Sequence, residues 1–217
     1  MRLELGRPIG CADGTFGRLA DVVVDPTAKR VTHVVAEPKA KGVIGNRLVP
    51  VALIDVDASD DAIQLRCTID EAARLETVEG VAYLTVGDVP ISDPDWEVGA
   101  SRVLASPYYE GTELGDYPGD LAGAGSLLFD RVPKGELEIR RSSAVLSSDG
   151  HHLGHVDGFV VDENNQIAQL VLERGHLWGR RQVTIPIGAV ELVTNDEVRL
   201  SLSRDNVSAL PAVRVRR

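Results

Sequence analysis

The sequence predicts an all-β protein, on two observations. Short, valine-rich apolar runs alternate with Gly, Pro and Asp turn residues along most of the chain, which is typical of β-strands and tight turns. The order of these turns and strands near the N-terminus recurs near the C-terminus, at an offset that drifts only from 137 residues (Gly17 to Gly154) to 135 (Leu75 to Leu210). We therefore expect two tandem small β-barrels, each ending in a short helix, joined by a long irregular linker.

The first barrel is expected over residues 1–77. Asp13-Gly14 is a turn dipeptide, and a strand follows from Gly17 to Asp25, where Pro26 ends it because proline cannot donate a ladder hydrogen bond. Further strands are predicted at Val31 to Glu37, at Leu48-Val49 and at Ile63 to Cys67. Thr68 and Glu71 match a capping box, so a short helix is expected to begin there and to end at Leu75.

The second barrel is expected over residues 136–212, and the stretch from Ser148 to Val193 is its clearest part. Equivalent positions pair in order: Val31 with Ile167, Glu37 with Glu173, Pro50 with Pro186, Ile54 with Val190, Leu65 with Leu200, and Asp70 with Asp205. Gly17 and Gly154 are expected where a strand bends or two backbones approach closely. Asp25 and Asp162 end strands at turns, where a carboxylate can accept hydrogen bonds from its own downstream backbone.

Residues 78–135 have a different composition. They hold all four tyrosines, with three basic residues against ten acidic ones, a net charge of −7 out of the chain's −10. Many Gly and Pro and little periodicity predict an acidic, aromatic linker, either largely disordered or partly docked on a barrel. Residues 213–217 are expected to form a basic tail.

The C-terminal pattern resembles the PRC-barrel family, which includes the cytoplasmic domain of the photosynthetic reaction centre H subunit and the C-terminal domain of the ribosome maturation factor RimM. The residues that carry it are Asp149, Gly150, Gly154, Val156, Val161, Asp162, Ile167, Leu170, Val171, Leu172, Trp178, Gly179, Arg180, Arg181, Val183, Ile185, Pro186, Val198 and Leu200. The resemblance covers 137–210 well and 3–75 moderately, but not the linker. It implies a bent β-barrel used for protein interaction or assembly, with no catalytic residues attached to the fold. Barrels of this kind would pair within one chain or between chains.

Charge and cysteine content narrow the class of function. A net charge of −10 argues against bulk electrostatic binding to nucleic acid or to an anionic membrane. Cys11 and Cys67 are too few for a disulfide framework, which favours a reducing compartment. No apolar run has the length that spans a bilayer or forms a signal peptide, so we expect a cytoplasmic, bacterial-type protein without membrane insertion.

Trp178, Arg180 and Arg181 are the best partner-binding candidates, because Trp and Arg dominate interface hot spots and these residues lie at a predicted hairpin tip. Tyr108 and Tyr109 in the linker are further candidates. The alternative is that Trp178 folds back onto the barrel mouth while the arginines pair with Glu173 or Asp157. Arg140-Arg141 and the C-terminal arginines Arg214, Arg216 and Arg217 could touch RNA or an acidic segment, although short arginine runs are usually solvated surface.

His151, His152 and His155 are weak candidates for a metal site, because they lie in a turn and lack an acidic or cysteine partner at diagnostic spacing. A solvated or turn-packing role is the alternative. No phosphate loop, dinucleotide fingerprint or nucleophile elbow is present, so we expect no catalytic residue and no cofactor. The favoured function is a non-enzymatic adaptor built from two PRC-barrel modules, with a protein partner. The alternatives are a ribosome- or RNA-associated assembly factor and a metal- or ligand-binding sensor.

Overall fold

The computed structural model describes residues 1–39, 41–55, 62–84, 96–104, 125–174 and 181–213. The predicted predominance of β structure is confirmed: most of the described chain lies in strands, and the two larger sheets curl into half-barrels. The chain divides into two compact units, one formed by Met1–Thr77 with Gly135–Arg217 and the other by Val78–Lys134. The two predicted modules thus belong to a single unit.

The N-terminal half-barrel is built on one long strand. Its strands are β1 (Arg2–Glu4), β2 (Pro8–Cys11), β3 (Gly14–Asp25), β4 (Arg30–Pro38), β5 (Arg47–Pro50), β6 (Ile54–Asp55) and β7 (Ile63–Leu65), followed by helix α1 (Ile69–Ala73). The sheet order is β5-β4-β3-β2-β7-β6, with β2 and β7 parallel. At Gly17 the carbonyl of Glu37 comes so close that a Cβ would overlap with it. The predicted close approach of two backbones at this glycine is confirmed.

The second unit contributes β8 (Glu79–Leu84), β9 (Trp96–Leu104) and β10 (Gly125–Pro133), an antiparallel sheet in the order β8-β10-β9. The prediction of an irregular linker over 78–135 is therefore wrong for the described part of this segment. The guanidinium of Arg131 lies 4.7 Å from the ring centroid of Trp96, on neighbouring strands. Glycine- and aspartate-rich runs separate the three strands, and they conceal the strand pattern in the sequence.

The C-terminal half-barrel repeats the order of elements. It comprises β11 (Leu137–Ile139), β12 (Ala144–Leu146), β13 (His152–Val161), β14 (Ile167–Arg174), β15 (Arg181–Pro186), β16 (Val190–Val193), β17 (Glu197–Leu200), helix α2 (Arg204–Ser208) and β18 (Ala212–Val213). The sheet order is β16-β17-β12-β13-β14-β15-β18, with β12 and β17 parallel. Gly154 meets the carbonyl of Glu173 as Gly17 meets that of Glu37. Val213, the first residue of the predicted basic tail, belongs to β18, and residues 214–217 lie outside the described residues.

The two half-barrels exchange their first strands. β1 pairs with the second half of β13, with Leu3 opposite Phe159, and β11 pairs with the second half of β3, with Ile139 opposite Val22. Leu3 and Ile139 are equivalent positions, and both are buried. Each long strand is therefore completed by the other half of the unit, so neither half-barrel closes its own sheet.

A second contact links the turns that follow β3 and β13. Arg30 and Gln166 form an antiparallel bridge, in which Val31 donates its N–H to the carbonyl of Asn165 at 2.9 Å and Ile167 donates to the carbonyl of Lys29 at 2.9 Å. Lys29 and Asn165 both have positive φ, 51° and 61°. The two turns occupy aligned positions in the sequence, and each donates one backbone hydrogen bond to the other.

The two half-barrels share one hydrophobic core, which continues through the exchanged strands. Phe16, Leu19 and Ile9 are fully buried in the N-terminal half, and Leu170, Leu172 and Ile185 in the C-terminal half, with Leu3, Phe159 and Ile139 between them. Burying a side chain of this size contributes about 1.5–3 kcal/mol relative to leaving it exposed. The exchanged strands therefore contribute hydrophobic burial as well as ladder hydrogen bonds.

Both helices begin at equivalent caps. Thr68 and Glu71 form the predicted capping box, which is confirmed, and Ser203 caps α2 by accepting from the N–H of Asn206. Across the described ranges, the structure has no helix with the length and apolar character to cross a membrane.

Candidate functional site

The β14–β15 hairpin presents two arginines side by side. Arg174 and Arg181 are directly opposite each other in the antiparallel register. The residues between them, 175–180, include His176, Trp178 and Arg180 and lie outside the described residues, as do Tyr108 and Tyr109. Of the five predicted partner-binding residues, the structure therefore places only Arg181.

Neither guanidinium in this pair is neutralised by a carboxylate within the described part of the chain. Arg181 is exposed and has no ion pair there, and the Nη atoms of Arg174 lie 3.3 Å from the hydroxyl of Ser208 in α2. Like charges directly opposite each other across two strands are destabilising. The hairpin therefore keeps a concentrated positive charge at a cost to its own stability.

Two carboxylates near the hairpin, those of Asp157 and Glu173, contact an arginine from another segment. Asp157 and Glu173 both lie 3.8 Å from the guanidinium of Arg141. Arg141 reaches both carboxylates from the segment after β11, and Arg181 makes no ion pair with either of them, while Arg180 lies outside the described residues. Arg140 is also held internally, by Glu138 at 3.1 Å, so these two arginines do not form a free basic patch.

A buried polar chain lies under the base of the hairpin. The amide of Gln182 donates to Asp157, and the guanidinium of Arg2 donates to the amide oxygen of Gln182 at 2.5 Å. Asp157 is 6% exposed and Gln182 is 5% exposed. Buried polar groups that satisfy one another in this way fix the geometry around them. Because Arg2 belongs to the exchanged strand β1, this chain connects the hairpin base to the strand exchange.

The three histidines do not converge on one point. His151 Nδ1 lies 3.1 Å from a carboxylate oxygen of Asp149, while the rings of His152 and His155 contact each other edge to face, with centroids 4.9 Å apart. Within the ranges that the structure describes, no group of three or more His, Cys, Asp or Glu residues could hold a metal ion. His151 thus contacts a carboxylate of its own turn, and His152 and His155 contact each other.

Other ionisable side chains serve the turns and helix ends. Asp25 accepts from the N–H groups of Thr27 and Ala28, both at 2.9 Å, and Asp162 accepts from those of Asn164 and Gln166, at 2.8 and 2.9 Å, which confirms the predicted turn role. Asp13 and Asp149 accept from the first N–H of α1 and of α2. Hydrogen bonds from the Ser147 hydroxyl and the Arg204 backbone lower the pKa of Asp149.

Cys11 and Cys67 are buried free thiols in the N-terminal half-barrel. Burial, followed by the neighbouring Cys67, raises the pKa of Cys11 to about 12, and burial likewise raises the pKa of Cys67. The thiolate is the nucleophile, so the raised pKa values favour the less nucleophilic protonated form near neutral pH.

Two contributors to the hairpin site had no clear signal in the sequence. Arg174 belongs to the end of an apolar strand, and its position opposite Arg181 follows from the register of β14 and β15. Arg2 is the second residue of the sequence, and its hydrogen-bond partner Gln182 lies 180 positions further along the chain. Local patterns do not report such distant pairs.

No protein-family model matches this chain, and a comparison with curated proteins also finds no match. The geometry of the described residues therefore carries the functional argument.

Proposed function

We propose that the protein is a non-enzymatic cytoplasmic adaptor of the PRC-barrel type, in which the two half-barrels form a scaffold that presents the β14–β15 hairpin to a protein partner. The observation that carries this proposal is the cross-strand pair Arg174–Arg181, which no carboxylate of the described residues neutralises. A free protein gains nothing from two facing guanidinium groups, whereas an acidic partner would convert the repulsion into attraction.

The proposed partner has an acidic surface with an apolar or aromatic element. Arg181 and Arg174 would supply charge-assisted hydrogen bonds to carboxylates, and Trp178 is the aromatic anchor that the sequence predicts beside them. The buried chain Arg2–Gln182–Asp157 supports the proposal, because it holds the hairpin base in one geometry before a partner arrives.

The adaptor class is favoured over an enzyme by how the described acidic and thiol side chains are used. Asp13, Asp25, Asp149 and Asp162 bind backbone N–H groups, and the two thiols are buried in their protonated form. None of these groups is presented to a substrate as a paired acid and base or as an activated nucleophile.

The test is affinity capture of the tagged full-length chain from a gentle low-salt lysate of its own cells, with and without ribonuclease, followed by mass spectrometry. We expect a discrete acidic protein that survives ribonuclease, is captured equally by the Lys41→Glu control and is lost with Arg181→Glu. Both variants make the same change in charge, and Lys41 is an exposed loop residue remote in sequence from the hairpin.

Two outcomes would contradict the proposal. Ribosomal proteins that disappear on ribonuclease treatment would replace the adaptor by an RNA- or ribosome-associated assembly factor. A partner retained equally by Arg181→Glu and by Lys41→Glu would show that binding does not use the arginine pair.

A further inference from the structure

A cavity of about 180 Å³ lies between the turn after β3 and the C-terminal half-barrel. Its floor consists of buried apolar side chains of the shared core, among them Ile139, Phe159 and Leu170. One wall is the turn from Asp25 to Lys29, and the facing wall is β16, with Glu191 and Leu192. Both halves of the unit therefore contribute to one cavity, and the exchanged strand β11 supplies Ile139 to its floor.

The β16 wall has two features typical of a binding site rather than of a packed core. Leu192 is 47% exposed, one of the few large apolar side chains so exposed in the described residues. β16 is also an edge strand of its sheet, and its pairing with β17 shifts register between Val190 and Leu192. Bulges at sheet edges frequently redirect side chains toward ligands.

The size and lining of the cavity define what it can hold. An apolar cavity of about 150 Å³ accommodates benzene in a protein core. At about 180 Å³ and with mostly aliphatic walls, this cavity fits one aromatic ring or a branched alkyl chain of similar bulk. An apolar ligand that fills this space gains dispersion contacts with the lining side chains.

Three charged residues line the cavity: Asp25, Lys29 and Glu191. The Asp25 carboxylate already accepts two backbone N–H bonds of its turn. Lys29 has no ion pair with any residue that the structure describes, and Glu191 is exposed. Lys29 carries the positive charge among these three lining residues, so its ammonium is the group that an incoming anion would contact.

We propose that this cavity binds a small monocyclic aromatic or branched aliphatic carboxylic acid, with the apolar group on the Phe159–Leu170 floor and the carboxylate at Lys29. This site is separate from the β14–β15 hairpin and does not depend on the adaptor function. It would make the junction between the half-barrels a ligand-responsive position.

The test is a titration of the protein with phenylacetate and, separately, with its neutral analogue 2-phenylethanol. Methyl NMR spectra of the protein report the binding of each probe. We expect chemical-shift changes confined to the methyl groups of Ile139, Leu170, Val190, Leu192 and Val193, with a phenylacetate dissociation constant on the order of 1 mM or below. Phenylacetate should bind about twofold to fivefold more tightly than 2-phenylethanol, as expected for a solvent-exposed ion pair.

Lys29→Asn is the variant of choice, because Lys29 has a φ of 51° and the equivalent residue, Asn165, has a φ of 61°. Asparagine tolerates this left-handed conformation, so the turn should be preserved. We expect the preference for phenylacetate to disappear while 2-phenylethanol binds unchanged, and Lys41→Asn to behave as wild type. Val193→Phe, which reduces the cavity, should weaken both probes together.

Three outcomes would overturn the proposal. The first is that neither probe shifts the lining methyl groups. The second is that the shifts map elsewhere in the protein. The third is that both probes bind equally and Lys29→Asn has no effect, which would remove the carboxylate from the ligand class.

Discussion

Arg30 and Gln166 face each other across an antiparallel bridge, at aligned positions of the two halves of one compact unit. This bridge and the exchanged strands β1 and β11 form the junction between the two half-barrels. At the junction each half-barrel contributes a strand to the sheet of the other. Stability, the hairpin site and the cavity therefore all depend on the junction rather than on either half alone.

The backbones approach closely at this junction at Gly158, where a Cβ would overlap with the carbonyl oxygen of Leu3. We expect Gly158→Ala to lower the free energy of unfolding by about 2–4 kcal/mol, because β1 must move away. Gly188→Ala is the control, since a Cβ there meets nothing within 4 Å, and it should change stability by less than about 0.5 kcal/mol. Urea unfolding followed by circular dichroism measures both. Equal effects would mean that β1 does not pack as described.

Removing apolar volume from an exchanged strand should destabilise both half-barrels together. Leu3→Ala and Ile139→Ala each truncate a buried side chain and are expected to cost about 2–5 kcal/mol. Native-state hydrogen exchange measures the opening free energy of individual amides. In either variant this opening free energy should fall by the same amount for the amides of β4 and for those of β14. Loss confined to the half that contains the substituted residue would show that the halves open independently.

The arginine pair should be a stability cost in the free protein. Arg181→Glu places a carboxylate opposite Arg174 and is expected to raise the free energy of unfolding by about 0.2–1 kcal/mol. The gain should shrink at high salt, because the pair is at the surface. Thermal denaturation at low and high ionic strength checks this. A loss of stability with Arg181→Glu would indicate that the arginine has an internal role.

The cysteine environment predicts a decline in stability at high pH. The pKa of Cys11 is raised to about 12 in the folded protein, so the folded state keeps a proton that the unfolded state releases near pH 9. The stabilisation is complete below the unfolded pKa and falls as pH rises from about 9 toward 12. Cys11→Ala should reduce this decline. Native labelling by a thiol reagent at pH 7.5 should be slow and should become fast in denaturant.

Removing the N-terminal cap of helix α1 should lower the free energy of unfolding. Thr68 accepts from the N–H of Glu71, and Thr68→Ala is expected to cost about 1 kcal/mol, whereas Thr27→Ala, at an exposed turn residue, should be nearly neutral. Hydrogen bonds from Thr68 lower the pKa of Glu71. The contribution of Glu71 is therefore present above its unfolded pKa and is lost as pH falls through its folded pKa. The pH dependence of Glu71→Gln stability, compared with wild type, checks the sign.

Local chemistry explains what the sequence could predict. The capping box at Thr68, the turns held by Asp25 and Asp162, and the close approaches at Gly17 and Gly154 all depend on residues near in sequence or on steric rules that single residue types satisfy. The strands of the two half-barrels were recognisable for the same reason, because valine-rich runs stand between Gly, Pro and Asp.

What escaped prediction depends on long-range pairing. Arg2–Glu4 and Leu137–Ile139 are three-residue strands with no periodicity of their own, and their partners lie far away in the chain. The arginine opposite Arg181 was hidden because register is fixed by turn and core geometry rather than by composition. The cavity has no sequence pattern, since its walls come from separate turns and strands.

The exchange of first strands also has a consequence for protein synthesis. The N-terminal ammonium donates to the carbonyl of Val161 at 2.8 Å, across a separation of 160 residues. At a translation rate of about 5–20 residues per second, β1 therefore waits roughly 8–32 s on the ribosome for its partner to be made. For most of that interval, until β11 has been synthesised, the second half of β3 lacks this neighbouring strand, and such an unpaired edge invites association with other nascent chains. A chaperone that binds the N-terminal half during this interval would prevent such association.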